Sequence, residues 1–80
     1  MFYVYVLRSQ KTEKFYIGQT QDISNRVLEH NNGKTISTRS GRPWVLVHTE
    51  VFATRSDAIK RERELKSKKS HQAIEILIQQ

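Results

Sequence analysis

The sequence contains no cysteine, a single proline and only three glycines. Without cysteine the chain can form no disulfide, no thiolate metal site and no cysteine nucleophile. The scarcity of proline and glycine excludes a collagen-like or linker-like chain. Its 80 residues, of which 36% are hydrophobic, suffice for one small core, so we expect one domain over residues 1–80.

Long hydrophobic runs are missing as well. The longest run, Val4–Leu7, extends back at most to Met1, which is far short of the ~20 apolar residues that cross a bilayer. The N-terminus has neither the basic leader nor the cleavage site of a secretory signal peptide. We therefore expect a cytoplasmic protein with no membrane partner.

Positive charge is the first feature present in excess. The 14 lysines and arginines outnumber the 8 acidic residues, which gives a net charge of +6 and a pI near 10.0. This charge indicates a DNA or RNA partner, although a basic surface that keeps the protein soluble has the same composition. Residues 34–42 are basic, rich in hydroxyls, free of acids and predicted to form a loop. The predicted nucleic-acid contacts in this loop are Lys34, Ser37, Thr38, Arg39 and Arg42.

Three segments have the composition of β-strands. Aromatic and β-branched residues predict strands over residues 2–7, 15–18 and 44–52. The first two segments are close enough in sequence to form a hairpin. Because side chains alternate between the faces of a strand, Tyr5 and Tyr16 can lie on one face of this hairpin with their phenols together.

Helices are predicted between and after these strands. Asp22 is a suitable N-cap for a helix that ends near His30, and Thr54 begins a second helix that ends near Lys68. Ser70 is predicted to cap a short last helix with an apolar face. The element order is then β-β-α-β-α-α, which predicts an α/β fold with helices on a small, mostly antiparallel three-stranded sheet.

Glu62 is the residue that fits its surroundings least well. It falls within the apolar stripe that Ala58, Ile59 and Leu65 form on the second long helix. A carboxylate near a core is costly unless it is paired or binds a cation. Glu62 is therefore either a functional group or the partner of Arg26 or of a nearby lysine.

Together these positions resemble the GIY-YIG nuclease family from residue 2 to about residue 69. The two motifs of the family correspond to Tyr3-Val4-Tyr5 and Tyr16-Ile17-Gly18. Two residues depart from the pattern. Tyr3 replaces the glycine of the first motif, and Gln19 replaces a lysine of the DNA-repair incision subunit in this family. The resemblance implies the GIY-YIG fold and a small member that stands alone as one domain.

The resemblance also implies an endonuclease that hydrolyses DNA, with Mg²⁺ or Mn²⁺ on Glu62 and no small-molecule cofactor. Arg26 would clamp the phosphate, and Tyr5 or Tyr16, of which we favour Tyr16, would act as general base or orient the water. His30 would contact the phosphate or share in proton transfer. We expect the enzyme to be a monomer.

Two other classes of function are compatible with the sequence. A nucleic-acid-binding module without catalysis would use the same basic face, but it would gain nothing from an acidic side chain such as Glu62 facing the bound backbone. A protein-interaction module would dock through the apolar residues of segment 73–78. Glu62 is therefore the residue that distinguishes an enzyme from a simple binding protein.

Overall fold

A three-stranded antiparallel sheet organises the computed structural model, which describes residues 1–68 and 71–79. Strand β1 (Phe2–Ser9) lies in the centre, between β2 (Phe15–Thr20) and β3 (Trp44–Phe52). All three predicted strands are confirmed, and β1 and β2 each continue two residues beyond their predicted ends.

Both long helices begin at the predicted caps. Helix α1 (Ile23–Asn31) follows Asp22, whose carboxylate accepts a hydrogen bond from a backbone amide of the first turn at 3.1 Å. Helix α2 (Arg55–Ser67) follows Thr54, whose hydroxyl accepts the equivalent bond at 3.2 Å. Each cap satisfies an amide that the helix itself leaves unpaired. The predicted fold class is confirmed.

The chain ends in a short helix, α3 (His71–Ile78), which packs its apolar face against the core. Ser70, the predicted cap of this helix, lies outside the described residues. In the ranges that the structure describes, none of the helices has the length and apolar character needed to span a bilayer.

The prediction of a loop over residues 34–42 is wrong for most of that segment. Residues Ile36–Gly41 form a 3₁₀ helix, with the Thr38 amide bonded to the Thr35 carbonyl at 3.2 Å. A side chain of the following strand stabilises this turn: the Trp44 indole N–H donates to the Thr38 carbonyl at 2.7 Å. Such a tertiary contact leaves no periodic pattern in the local sequence, so only the folded structure shows the helix.

The central strand divides the core into two layers, because its side chains alternate between the two faces of the sheet. Val4 and Val6 pack against residues of α2 and α3 on one face. Tyr5 and Leu7 lie on the other face, where they pack against Trp44 and against α1. The second layer holds the tyrosines of both motifs and therefore positions the candidate site.

Candidate active site

The two motif tyrosines lie side by side on the face that α1 covers. Strand pairing sets Tyr5 opposite Gly18 and Leu7 opposite Tyr16, so all four residues share this face. The ring centroids of Tyr5 and Tyr16 are 6.3 Å apart. The predicted pairing of the two phenols is thus confirmed.

The glycine of the second motif leaves room for the Tyr5 hydroxyl. A Cβ atom at Gly18 would lie 2.6 Å from Tyr5 Oη and 2.8 Å from the ring carbon that bears it. An aromatic ring cannot bend away from such a contact, so any larger residue at this position would displace the phenol. Gly18 is needed here for the close approach of Tyr5.

A chain of hydrogen bonds runs from Arg26 through the buried Tyr5 hydroxyl into the protein. Arg26 Nε donates to Tyr5 Oη at 3.3 Å, and Tyr5 Oη is 3.0 Å from His30 Nε2. On the far side of the imidazole, His30 Nδ1 is 2.8 Å from Thr38 Oγ1. The Thr38 hydroxyl in turn donates to the carbonyl of Thr35 at 3.3 Å.

The two ends of this chain determine the direction of every bond in it. Arg26 can only donate and the Thr35 carbonyl can only accept. The Tyr5 hydroxyl therefore donates to Nε2 of His30, which carries its own proton on Nδ1 and donates it to Thr38. With the proton on Nε2 instead, His30 would leave the Tyr5 hydroxyl proton without an acceptor among the described residues. The Thr38 hydroxyl would then donate to Nδ1 and lose its bond to the Thr35 carbonyl.

Burial keeps Tyr5 and His30, the two central groups of the hydrogen-bond chain, uncharged. It raises the pKa of Tyr5 above the usual value of 10.0, against the opposing effect of the hydrogen bond from Arg26. Burial, together with the nearby charge of Arg26, lowers the pKa of His30 below 6.5. At neutral pH the site thus holds a phenol, a neutral imidazole and the positive charge of Arg26.

We expect acid to destabilise the fold through His30. Because its pKa is lower in the folded state, the unfolded chain binds more protons between the folded pKa and about 6.5, and stability falls as the pH drops through this range. One group contributes at most about 1.4 kcal/mol per pH unit. In thermal melting at about pH 7.5 and about pH 5.5, His30→Gln should therefore show a smaller loss on acidification than the parent. An equal loss in both proteins would mean that His30 is not responsible.

Glu62 pairs with a lysine on its own helix, one of the two arrangements that the sequence leaves open. Lys66 Nζ lies 2.6 Å from Glu62 Oε2, whereas Arg26 pairs with Glu29 at 3.4 Å. The Glu62 side chain is 20% exposed. Burial is the main cause of the raised pKa of Tyr5, and the charge of Glu62 is the last of its causes.

One carboxylate is a small but suitable donor set for Mg²⁺. The described residues contain no group of three His, Cys, Asp or Glu side chains that could hold a metal. Mg²⁺ commonly binds through one or two carboxylates, with waters and substrate phosphates as its other ligands. The Lys66 ammonium already lies against the Glu62 carboxylate as a cation, and it is half-exposed and able to move away. Glu62 therefore fits the implied metal.

The predicted nucleic-acid contacts separate into two groups. Thr38 is 1% exposed and its hydroxyl already bonds His30 and Thr35, so the prediction that it contacts phosphate is wrong. Arg39 and Arg42 are exposed, but Arg39 Nε bonds the Gly33 carbonyl and Arg42 Nε bonds the Arg39 carbonyl. The residues of the predicted set that the structure places at the surface are Lys34, Ser37, Arg39 and Arg42.

His30 is completely buried, which leaves only one of its two predicted roles. It lies behind Tyr5 and cannot reach a phosphate at the surface, so proton transfer is the compatible role. The residue that sequence reasoning missed is Thr38 as the partner of His30 Nδ1. No spacing rule connects a histidine at a helix end with a hydroxyl in a later turn, so the sequence holds no signal for it.

Comparison with known proteins identifies relatives of this architecture. The sequence matches the family described as the GIY-YIG catalytic domain over residues 1–75. It is 41% identical over 66 residues to a UPF0213 protein of Staphylococcus saprophyticus, covering 81% of this chain and 79% of the relative. It is 47% identical over 66 residues to a UPF0213 protein of Haloquadratum walsbyi, covering 81% and 73%.

A solved structure is similar over nearly the whole chain. The solution NMR structure of a UPF0213 protein from Bacillus halodurans superposes with a TM-score of 0.61 at 33% sequence identity. The match covers 99% of this chain and 84% of that protein. The similarity therefore includes all the strands and helices described above.

Proposed function

The chain belongs to the GIY-YIG family, whose domain is that of a nuclease, and from this membership we propose that it is a Mg²⁺-dependent endonuclease that hydrolyses phosphodiester bonds of DNA. The observation that supports this most is the directed hydrogen-bond chain from Arg26 through Tyr5 to His30. This chain places a proton acceptor behind a phenol and next to an arginine that can bind phosphate, which are groups that hydrolysis of a phosphodiester needs.

Arg26 is proposed to bind the scissile phosphate. Its side chain is 33% exposed, with Nε bonded to Tyr5 and Nη1 bonded to Glu29. No described residue bonds Nη2, so this end of the guanidinium is left for a substrate oxygen. The planar fork of arginine suits a phosphate better than the ammonium of lysine does.

Although the sequence slightly favours Tyr16 as general base, Tyr5 is proposed to take the proton from the attacking water while passing its own proton to His30 Nε2, because the Tyr5 hydroxyl bonds this acceptor at 3.0 Å. Its raised pKa and the lowered pKa of His30 mean that the imidazole does not hold this proton before attack begins. The transfer is therefore proposed to accompany the attack, and it requires a movement of Arg26 towards the phosphate that opens the buried Tyr5 hydroxyl to the water. Thr38 supports this step because it holds His30 in the tautomer whose Nε2 accepts.

Tyr16 and Glu62 are proposed to complete the site. Tyr16 is half-buried, lies with its ring centroid 4.8 Å from that of His30 and is the phenol nearer the surface, where it can orient the water. Glu62 would hold Mg²⁺ once Lys66 releases it. When bound, the metal supplies positive charge for the phosphoryl and leaving oxygens. We propose that residues 1–80 act as one domain, as a monomer in the cytoplasm.

The proposal is tested by nicking of supercoiled plasmid. With Mg²⁺ or Mn²⁺ the purified protein should convert plasmid to open circles, and a chelator should abolish this, because the metal contribution to phosphoryl transfer is several kcal/mol. The fraction of open circles is measured by gel electrophoresis over time. Binding of the plasmid without any metal-dependent nicking would contradict the enzyme and favour a module that only binds nucleic acid.

A further inference from the structure

A basic cavity of about 440 Å³ opens at the edge of the sheet beside β2, between the end of α2 and the start of α3. We call it the β2 cleft. Its rim carries the positive or titratable side chains of Lys14, Lys66, Lys68 and His71, and its floor is apolar, with Leu65 and Ile74. None of the described residues that line it is acidic, although Lys66 and His71 lie within ion-pair distance of Glu62 and Glu75 outside the cleft. Its volume is within the range of sites that hold small ligands.

Two aromatic rings stack on each other in this cleft, and the exposed His71 ring leaves an outer face that a base can cover. Phe15 and His71 stack with centroids 4.5 Å apart and planes 23° from parallel. An aromatic face next to lysines is the arrangement that binds single-stranded nucleic acid, because the ring stacks on a base while the ammonium groups contact the phosphates. None of the steps proposed above uses Phe15 or His71.

The β2 cleft is directly continuous with the candidate active site. Tyr16 lines the cleft and also lies against His30 in the site. Lys66 lines the cleft and also pairs with Glu62. A nucleic-acid strand whose phosphate lies at Arg26 can therefore reach the cleft by crossing the β2 edge of the sheet.

The lysines of the cleft have fewer internal contacts than the arginines of segment 34–42. Arg39 and Arg42 each donate from Nε to a nearby backbone carbonyl, those of Gly33 and Arg39. Within the described ranges, neither Lys14 nor Lys68 pairs with a carboxylate. Both are exposed, so their ammonium groups can contact a phosphate without breaking an ion pair.

We propose that the β2 cleft binds an unpaired nucleotide next to the scissile bond, with Lys14 and Lys68 on its phosphates and the outer face of the Phe15–His71 stack against its base. The adjacency to the scissile bond rests on the proposed function, whereas the binding of a single-stranded nucleotide does not. The inference specifies a substrate class: nucleic acid with an unpaired base beside the cut, such as a flap, a loop or a single strand.

The test is binding of the full chain to a fluorescent oligonucleotide of about ten nucleotides, measured by anisotropy with chelator present. The single strand should bind more tightly than the duplex of the same sequence. Lys14→Gln with Lys68→Gln should weaken single-strand binding about tenfold and lower the slope of log affinity against log salt by about 1 to 1.5. Phe15→Leu should weaken it about tenfold with the salt slope unchanged, because stacking of a base is worth about 1–3 kcal/mol.

The matched control removes two positive charges elsewhere on α2. Lys60 and Arg63 line a different cavity, so Lys60→Gln with Arg63→Gln should keep the single-strand affinity within about twofold. Equal losses in the two double variants, or tighter binding of the duplex, would overturn the inference. Because the assay contains no metal, it is independent of cleavage. If the protein does not nick plasmid but its binding depends on the cleft residues, only the proposed nuclease activity is overturned. If it nicks plasmid but its binding does not depend on these residues, only the inference about the cleft is overturned.

Discussion

Tyr5→Phe is expected to lower the rate of plasmid nicking by about a hundredfold or more, the scale on which a general base contributes. The substitution keeps the ring and removes the one oxygen that connects Arg26 to His30. The water then has no phenol to deprotonate it, and His30 Nε2 loses its donor. The rate is measured under single-turnover conditions with enzyme in excess, so that weaker binding does not obscure the chemical step.

Tyr3→Phe is the matched control, because it makes the same chemical change two residues earlier on β1. Tyr3 is half-exposed near the start of β1, and its hydroxyl forms no hydrogen bond with the described residues. The nicking rate of Tyr3→Phe should therefore stay within about twofold of the parent rate. Tyr16→Phe should be as slow as Tyr5→Phe if Tyr16 orients the water. If all three variants nick plasmid as fast as the parent, the phenols are packing residues, and the chemistry is left to Arg26, His30 and the metal.

Removal of a buried hydroxyl also affects stability, so rates must be compared at equal folded fraction. The loss of the Tyr5 hydroxyl leaves His30 Nε2 buried without a partner, at a cost of about 1–3 kcal/mol. Thermal melting of each variant gives the correction. A variant that melts a few degrees lower but is fully folded at the assay temperature still reports on the chemistry.

The parts of the fold that the sequence predicted correctly are those with local causes. The strands follow from alternation, and α1 and α2 begin at Asp22 and Thr54 because a side chain there accepts a hydrogen bond from the first turn. The proximity of Tyr5 and Tyr16 follows from the pairing of two neighbouring strands. Each of these features depends on residues close together in sequence, which a pattern can show.

The parts that were missed depend on side-chain contacts between separate elements, which produce no repeating pattern in the sequence. The 3₁₀ helix around Thr38 is stabilised by the Trp44 indole, and the Thr38 hydroxyl turns inward to His30. From the sequence this threonine is one polar residue in a basic, hydroxyl-rich segment, which is typical of a surface loop. Its burial follows only from the packing of that segment on α1. The pairing of Glu62 with Lys66 is local, because the two residues are four apart on one helix, and the sequence includes it among its alternatives.

Glu62→Gln is expected to have the largest effect of any single change, a loss of nicking of about a thousandfold or more. Metal stabilisation of a phosphoryl transition state is worth several kcal/mol, and every 1.36 kcal/mol is about tenfold in rate. Glutamine has the same shape as glutamate but no charge with which to hold Mg²⁺. The change should scarcely affect folding, because the pair with Lys66 involves a half-exposed lysine, and such pairs contribute about 1 kcal/mol or less.

Glu64→Gln controls for the change in net charge. Glu64 is exposed on the same helix, two residues further on, and its only described partner is Arg61 at 3.4 Å. Both variants gain one positive unit of net charge and should bind the metal-free oligonucleotide equally well, so a difference in nicking between them reports on the metal. Raising the Mg²⁺ or Mn²⁺ concentration should partly restore nicking by Glu62→Gln, since the amide oxygen remains a weak ligand. If Glu62→Gln nicks plasmid as fast as Glu64→Gln, then the carboxylate is a structural partner of Lys66 and the metal must bind elsewhere.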